Sequence, residues 1–187
     1  MKVIKKLGKI LLLIFLTFII LSIGTTAVFK NTLSCQHKSN PAVLKQSKAD
    51  SEKQALVIYQ PSLLQTTKNT AMSIALALNQ RGYQVTINYP GDFLDIDVSK
   101  YSVLVLGSPV YFGQTSSVLN KYSRAIKGTK NTKILYFETG ANSFSEKEKK
   151  TIQQILPEAK EIVIEKFIAN QSKDQQFADE TVEKLCG

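Results

Sequence analysis

Short apolar runs alternate with helix-like patterns through most of the chain, and this alternation limits the fold more than any other feature. Helical patterns follow the first, third, fourth and fifth runs, whereas a short acidic connection follows the second. Such alternation predicts a parallel sheet with right-handed crossovers and helices on both faces. We therefore expect an α/β fold with a doubly wound, five-stranded parallel sheet of order 2-1-3-4-5. The predicted strands are 55–59, 83–89, 103–106, 133–137 and 161–168.

Capping and turn residues mark the ends of the predicted helices. Thr66 or Thr67 is the expected N-cap of the first helix, because a threonine hydroxyl accepts a hydrogen bond from a free N–H group there. Gly82 is the expected stop of that helix. Ser145, with Glu148 three residues later, is a capping-box signature for a helix that ends before Pro157. The other two helices are predicted near 115–127 and over 174–185.

The run 103–106 is free of charge and partly β-branched, which is typical of a strand buried on both faces of a sheet. Residues 107–109 (Gly-Ser-Pro) are expected to end this strand and turn the chain. Tyr111 and Phe112 follow before the next helix. Open parallel sheets bind ligands at the carboxyl ends of their strands, so this stretch is a candidate ligand loop. An ordinary loop whose aromatic side chains cap the core explains the local pattern equally well.

Three loops meet at this edge of the sheet in the predicted strand order. They comprise residues 60–67, 108–114 and 138–144. Glu138, at the start of the third loop, is expected to be a solvated strand end.

The N-terminal region predicts a membrane span. Residues 10–29 carry no charge, and twenty helical residues extend about 30 Å, the thickness of the hydrocarbon core of a bilayer. Lysines crowd the segment before this run, which places the N-terminus in the cytoplasm and the rest of the chain outside the cell membrane. The expected organisation is a basic flank at 1–9, a retained signal-anchor at 10–29, a flexible linker at 30–54 and one domain at 55–187.

Two other interpretations of the N-terminal region stay open. A cleavable signal peptide has a similar basic start, although its apolar core is usually shorter. Cys35 follows Thr32, Leu33 and Ser34, which resembles a bacterial lipobox only poorly.

Charge is concentrated in the N-terminal segment. Residues 1–49 contain eight lysines and no acidic residue, whereas residues 50–187 contain 16 basic and 15 acidic residues, a net charge of +1. A nucleic-acid-binding domain would carry its own basic face, so this function is excluded. A basic segment beside an apolar span suits an anionic membrane.

The residues best suited to metals and disulfides are few. His37 is the sole histidine and lies in the predicted linker, where a solvated side chain is expected, so no metal site is predicted. Cys35 and Cys186 are the two cysteines. Export permits a disulfide between them, and two free thiols are the alternative.

Two segments resemble the flavodoxin-like family. Residues 107–113 (Gly-Ser-Pro-Val-Tyr-Phe-Gly), after a buried strand, look like its second flavin-binding loop. Residues 56–59 (Leu-Val-Ile-Tyr), followed by residues 67–70 (Thr-Lys-Asn-Thr), resemble its first strand and phosphate loop. The likeness covers roughly 55–187. It implies a noncovalent FMN and a role in electron transfer or flavin-dependent reduction, with a redox partner protein or a quinone as the other participant.

The resemblance also implies which residues hold FMN. Phosphate would be held by backbone N–H groups at a helix N-terminus and by hydroxyl donors, an arrangement that suits an anion. An aromatic ring of the second loop would stack on the isoalloxazine, and the third loop would lie against the ring's other side or edge. The implied residues are Thr66, Thr67, Lys68, Asn69 and Thr70 for the phosphate, Ser108, Pro109, Val110, Tyr111, Phe112 and Gly113 for the second loop, and Thr139, Gly140 and Asn142 for the third.

The phosphate loop departs from the family pattern Ser/Thr-x-Thr-Gly-x-Thr. Gln65 takes the first place and Lys68 replaces the glycine. A flavodoxin-fold binding module of the cell envelope that has lost FMN is therefore the alternative function. A hydrolase using Ser62 or Ser108 is disfavoured, because the chain has no Gly-x-Ser-x-Gly elbow.

Overall fold

A computed structural model of the chain describes residues 2–45, 53–144, 146–156, 159, 161–168 and 175–187. The predicted N-cap Ser145, Pro157, the first residue of the predicted last helix (Asp174) and linker residues 46–52 lie outside the described residues. The helices are α1 (Lys2–Ser34), α2 (Thr66–Gln80), α3 (Ser117–Ala125), α4 (Glu146–Ile155) and α5 (Gln175–Cys186). The strands are β1 (Ala42–Leu44), β2 (Gln54–Tyr59), β3 (Gln84–Asn88), β4 (Val103–Pro109), β5 (Lys133–Gly140) and β6 (Ile162–Ile168).

The sheet has six strands in the order β1-β3-β2-β4-β5-β6. The last five strands in this order, β3-β2-β4-β5-β6, are all parallel to one another. They are the five predicted strands in the order 2-1-3-4-5, so the predicted order is confirmed. The predicted strand count is wrong by one, because β1 pairs antiparallel with β3 at the edge of the sheet. This strand lies within the segment that was expected to be a flexible linker.

Helices cover both faces of the sheet, as the doubly wound prediction requires. On one face, Val57 and Val105 pack with α2 and α5 in one buried cluster. On the other face, Leu104 and Leu106 pack with apolar residues of α3 and α4. Burial on both faces explains why the strand sequences are apolar runs without alternation.

The central strands β4 and β5 extend three residues beyond their predicted ends. Gly107 is therefore a strand residue paired with Phe137, and the expected turn at residues 107–109 is wrong. A Cβ at Gly107 would collide with the Phe137 ring, so this glycine makes room for a buried aromatic side chain. The extension carries the loops that follow β4 and β5 farther out over the sheet edge.

The start of α2 also differs from the prediction. Its N-cap is Gln65, in the left-handed region at φ 59°, and neither Thr66 nor Thr67 caps the helix. The N–H of Thr67 instead donates to the Ser62 hydroxyl at 3.1 Å. The predicted stop is confirmed, since Gly82 follows the helix at φ 90°.

Helix α1 is a candidate membrane anchor. Its segment Lys6–Ser34 is the one helix in the described part of the chain that is long and apolar enough to cross a bilayer, a property that signal sequences share. The helix continues past the predicted span into the predicted linker. The two cysteines are free, with the Cys35 carbonyl beside the end of β2 and Cys186 beside Tyr83, which precedes β3.

The packing of Gly107 yields a test of the central strands. We expect Gly107→Ala to lower the free energy of unfolding by about 1–3 kcal/mol, because the added methyl group overpacks the Phe137 ring. Gly140→Ala is the matched control: its nearest neighbours, Lys166 and Val110, would lie 3.4 and 3.6 Å away, so a change within about 0.5 kcal/mol is expected. Equal effects in urea unfolding of the two variants would contradict this packing.

Candidate functional site

A crevice of about 430 Å³ opens at the carboxyl edge of the sheet. It lies where the loops after β2, β4 and β5 meet, which is the position that the strand order predicts for a ligand. Its volume falls in the range of roughly 300–1,000 Å³ that is usual for small-molecule sites. The lining residues are Phe29, Ser62, Leu63, Leu64, Thr66, Pro109, Val110, Tyr111, Thr139, Gly140 and Ala141.

The loop after β4 is a tight turn that carries both aromatic residues. Tyr111 and Gln114 exchange backbone hydrogen bonds of 3.1 and 2.9 Å. Between them, Phe112 and Gly113 have φ values of 51° and 71°. Left-handed backbone is unusual for a bulky residue. The Phe112 side chain is 74% exposed, so the turn presents this ring outward.

Ser108 supports the aromatic turn from beneath. It is fully buried, and its hydroxyl accepts a hydrogen bond from the N–H of Ser116 at 2.9 Å. Ser116 in turn caps α3 by accepting from the N–H of Leu119. The two serines thus tie both ends of the turn to the framework.

The predicted phosphate residues at the start of α2 divide into two groups. Thr67 and Thr70 are buried, and the Thr67 hydroxyl lies 2.7 Å from that of Thr139 on β5. Thr66 lines the crevice, Lys68 is exposed and Asn69 is half-buried. Ser62 belongs to the predicted loop 60–67 but was not among the implied FMN residues, and it also lines the crevice.

The third loop contributes less than its sequence predicts. Gly140 lines the crevice together with Thr139, whose hydroxyl pairs with Thr67. Asn142 is exposed and is not among the residues that line the crevice.

The end of helix α1 lies over the crevice. The Phe29 ring is 4.5 Å from the Tyr111 ring and 5.4 Å from the Phe112 ring, centroid to centroid. The buried side chain of Gln60 donates to the carbonyl oxygens of Thr32 (2.8 Å) and Cys35 (3.1 Å). Sequence reasoning missed these contacts because they join residues that are 25 or 28 positions apart for Gln60 and more than 80 positions apart for Phe29.

The segment after α1 continues along the same edge of the sheet. The Asn40 N–H donates to the Asn88 side-chain oxygen at 3.0 Å, and the Asn88 amide donates to the Ser39 hydroxyl at 3.1 Å. The ring of His37 lies 5.2 Å from that of Tyr89. His37 is therefore half-buried against Tyr89, whereas a fully solvated side chain was expected.

Glu138 is buried, and the prediction that it is a solvated strand end is wrong. It is 1% exposed and lies 3.1 Å from the Lys166 ammonium group, which also pairs with Glu148 at 3.3 Å. Burial raises the pKa of Glu138 because it disfavours the carboxylate, and the positive charge of Lys166 opposes this rise. A second cavity, of about 400 Å³, lies beside Glu138 and Tyr136.

The buried carboxyl group yields a pH test. Because the folded chain holds the Glu138 proton more tightly than the unfolded chain, protonation contributes stability below the ordinary pKa of 4.5, and this contribution is lost as pH rises through the raised value. We compare the free energy of unfolding of wild type with that of Glu138→Gln, which cannot ionise. The wild-type value minus the variant value should fall as pH rises above 4.5. Urea unfolding of the detergent-solubilised chain from about pH 4 to 8 measures it.

Glu146→Gln is the control for this test, because the Glu146 side chain is 82% exposed. Its stability difference from wild type should vary less with pH. A difference for Glu138→Gln that is flat over the same range would contradict the raised pKa.

No family model and no curated protein matches the sequence. Similar solved structures include a two-electron reduced flavodoxin from Megasphaera elsdenii, 17% identical, covering 69% of this chain and 98% of that one with a TM-score of 0.55. A short-chain flavodoxin associated with a non-canonical PDU bacterial microcompartment is 13% identical, and the match covers 72% of this chain and 99% of that one with a TM-score of 0.55. Oxidised flavodoxin 2 from Bacillus cereus is 15% identical, and the match covers 70% of this chain and 99% of that one with a TM-score of 0.51. The chain thus has a flavodoxin-like fold, preceded by a candidate membrane anchor.

Proposed function

We propose that the crevice at the carboxyl edge binds FMN and that the protein transfers electrons at a membrane. The observation that carries this proposal is the crevice itself, which lies between the start of a helix and an aromatic turn in a flavodoxin-like fold. These two features suit the two ends of FMN, a phosphate and a flat ring system.

The ring half of the crevice fits a flat aromatic group. Its walls include Leu63, Pro109, Val110 and Tyr111, and apolar surface of this kind binds flat rings by burial and stacking. Phe112 stands next to this wall with most of its ring exposed. Ser108 and Ser116 hold the turn in place, so the aromatic side chains would be positioned before the cofactor arrives.

The phosphate half of the crevice suits an anion, although its residues differ from the phosphate loop of the family. Ser62 and Thr66 line the crevice at the N-terminus of α2, where the helix dipole favours an anion. The Thr67 N–H donates to the Ser62 hydroxyl, so this hydroxyl would be the donor that faces the phosphate. Lys68 is exposed in the first turn of the helix and would supply positive charge in place of the family's glycine. Thr67 and Thr70 would support the loop from the buried side.

FMN accepts and donates electrons, so the cofactor supplies the redox chemistry when it is bound. The protein's own part is then to orient the ring, exclude water from one side of it and hold the phosphate. This division requires no catalytic acid or nucleophile from the chain. It suits an electron carrier as well as a flavin-dependent reductase.

The proposed setting is the outer side of the cell membrane. Helix α1 would remain as a signal-anchor, with the lysines at 2–9 in the cytoplasm and the domain on the other side. The electron-transfer partner would be either a protein or a membrane quinone.

A second candidate function is a binding module that does not hold FMN. It is favoured by the Thr67 hydroxyl, which lies within hydrogen-bond distance of Thr139, and by Phe29, which lies against the Tyr111 ring. Both contacts occupy groups that a flavin site of the family would use.

An FMN titration separates the two functions. We expect the purified full-length chain in detergent to bind FMN, to shift its visible spectrum and to quench its fluorescence. Tyr111→Ala should raise Kd, since stacking on an aromatic side chain contributes about 1–3 kcal/mol per ring, which is roughly five-fold to more than 100-fold. Phe112→Ala should raise Kd less, because Phe112 is not among the residues that line the crevice.

Tyr101→Ala serves as the aromatic control, because Tyr101 precedes β4 at the opposite edge of the sheet. Its Kd should equal that of wild type. A colourless chain that leaves the spectrum and fluorescence of added FMN unchanged would favour the binding module. Unchanged Kd in both loop variants would show that the ring binds elsewhere.

A further inference from the structure

The apolar span and the crevice are joined through Phe29. Residues 10–29 measure about 30 Å as a helix, which matches the hydrocarbon core and sets Phe29 at its boundary. The next residue, Lys30, is exposed and would then lie among the lipid headgroups. Because the Phe29 ring contacts Tyr111 and Phe112, the aromatic turn lies at the same depth.

This edge of the domain exposes large apolar side chains. Leu64 is 85% exposed, Phe112 is 74% exposed and Leu63 is 48% exposed. Leu63 and Leu64 line the same crevice as Phe29. Apolar surface that continues an apolar span is typical of a membrane contact, and aromatic rings are enriched at the lipid–water boundary.

Basic residues accompany this apolar surface. Lys30 and Lys38 are exposed near the end of α1, and Lys68 is exposed at the start of α2. Asp92, which lies near Ser34 and Gln36, is paired with Lys121 at 2.8 Å. Exposed lysines beside apolar side chains suit the anionic headgroups of a bilayer.

The position of the domain relative to α1 is fixed by specific contacts. Gln60 donates to the carbonyl groups at the end of the helix, and Leu33 is 5% exposed. The hydroxyl of Ser117 on α3 lies 3.5 Å from the Leu33 carbonyl oxygen. These contacts hold the carboxyl edge of the sheet toward the end of the span.

We propose that this edge is a membrane-docking surface, formed by Leu63, Leu64 and Phe112, whose occupant is the bilayer interface. The domain then rests on the membrane by its carboxyl edge, and the mouth of the crevice opens at the lipid–water boundary. Molecules that enter the crevice arrive along the membrane surface. This proposal rests on α1 crossing a bilayer and does not depend on whether the crevice holds FMN.

Tryptophan quenching tests the docking surface, since the chain contains no tryptophan and each introduced indole reports alone. Leu64→Trp and Phe112→Trp are reconstituted as full-length protein in phosphatidylcholine–phosphatidylglycerol vesicles with brominated acyl chains. Leu76→Trp is the matched control: Leu76 is 43% exposed and lies about 15 Å along α2 from Thr66. Phe18→Trp, at a position 72% exposed within the span, reports insertion of α1.

We expect Leu64→Trp and Phe112→Trp to be quenched at least about twice as strongly as Leu76→Trp, as befits side chains buried about 5–10 Å into the headgroup and acyl boundary. Their emission should also be shifted to shorter wavelength. Quenching no greater than that of Leu76→Trp, with Phe18→Trp strongly quenched, would overturn the docking surface. Absence of quenching in Phe18→Trp would overturn the span on which the proposal rests.

Discussion

The buried side chain of Gln60 joins the two parts of this protein. Its amide donates to the carbonyls of Thr32 and Cys35, which are among the groups that a helix leaves without intrahelical partners at its C-terminus. Gln60 directly follows β2, and its own N–H donates to the Gly107 carbonyl of the central strand. One residue thus connects the end of the candidate anchor to the middle of the sheet. The position of the crevice relative to α1 depends on this connection.

The two halves of the crevice differ in how they are built. The aromatic turn is fixed from below by Ser108 and exposes Phe112, an arrangement suited to contacting a flat ring or a lipid surface. The start of α2 directs the buried Thr67 hydroxyl toward Thr139 and leaves Thr66 and Ser62 at the crevice. A ligand with an anionic end would therefore meet a helix N-terminus whose donors differ from the family pattern.

The parallel order of five strands followed from sequence because strands buried on both faces and amphipathic helices leave strong, local patterns. β1 left no such pattern: it has three residues, two of them exposed, and pairs through its backbone with β3. The burial of Glu138 was missed because its partner Lys166 lies on another strand. The contact of Phe29 with Tyr111 was missed for the same reason. A short stretch of sequence does not show which distant residue a side chain will contact.

Hydrogen exchange of the backbone amides at 35–44 tests most directly whether the end of α1 is fixed to the domain. The full-length chain in detergent should show slow exchange at Cys35, at Asn40 and in β1, because the Cys35 N–H donates to the Asn31 carbonyl, the Asn40 N–H donates to Asn88 and β1 is paired with β3. In Gln60→Ala, protection next to Cys35 should fall while β4 and β5 keep theirs. Exchange at 35–44 as fast as in an unstructured peptide would contradict the docked arrangement and return this segment to a flexible tether.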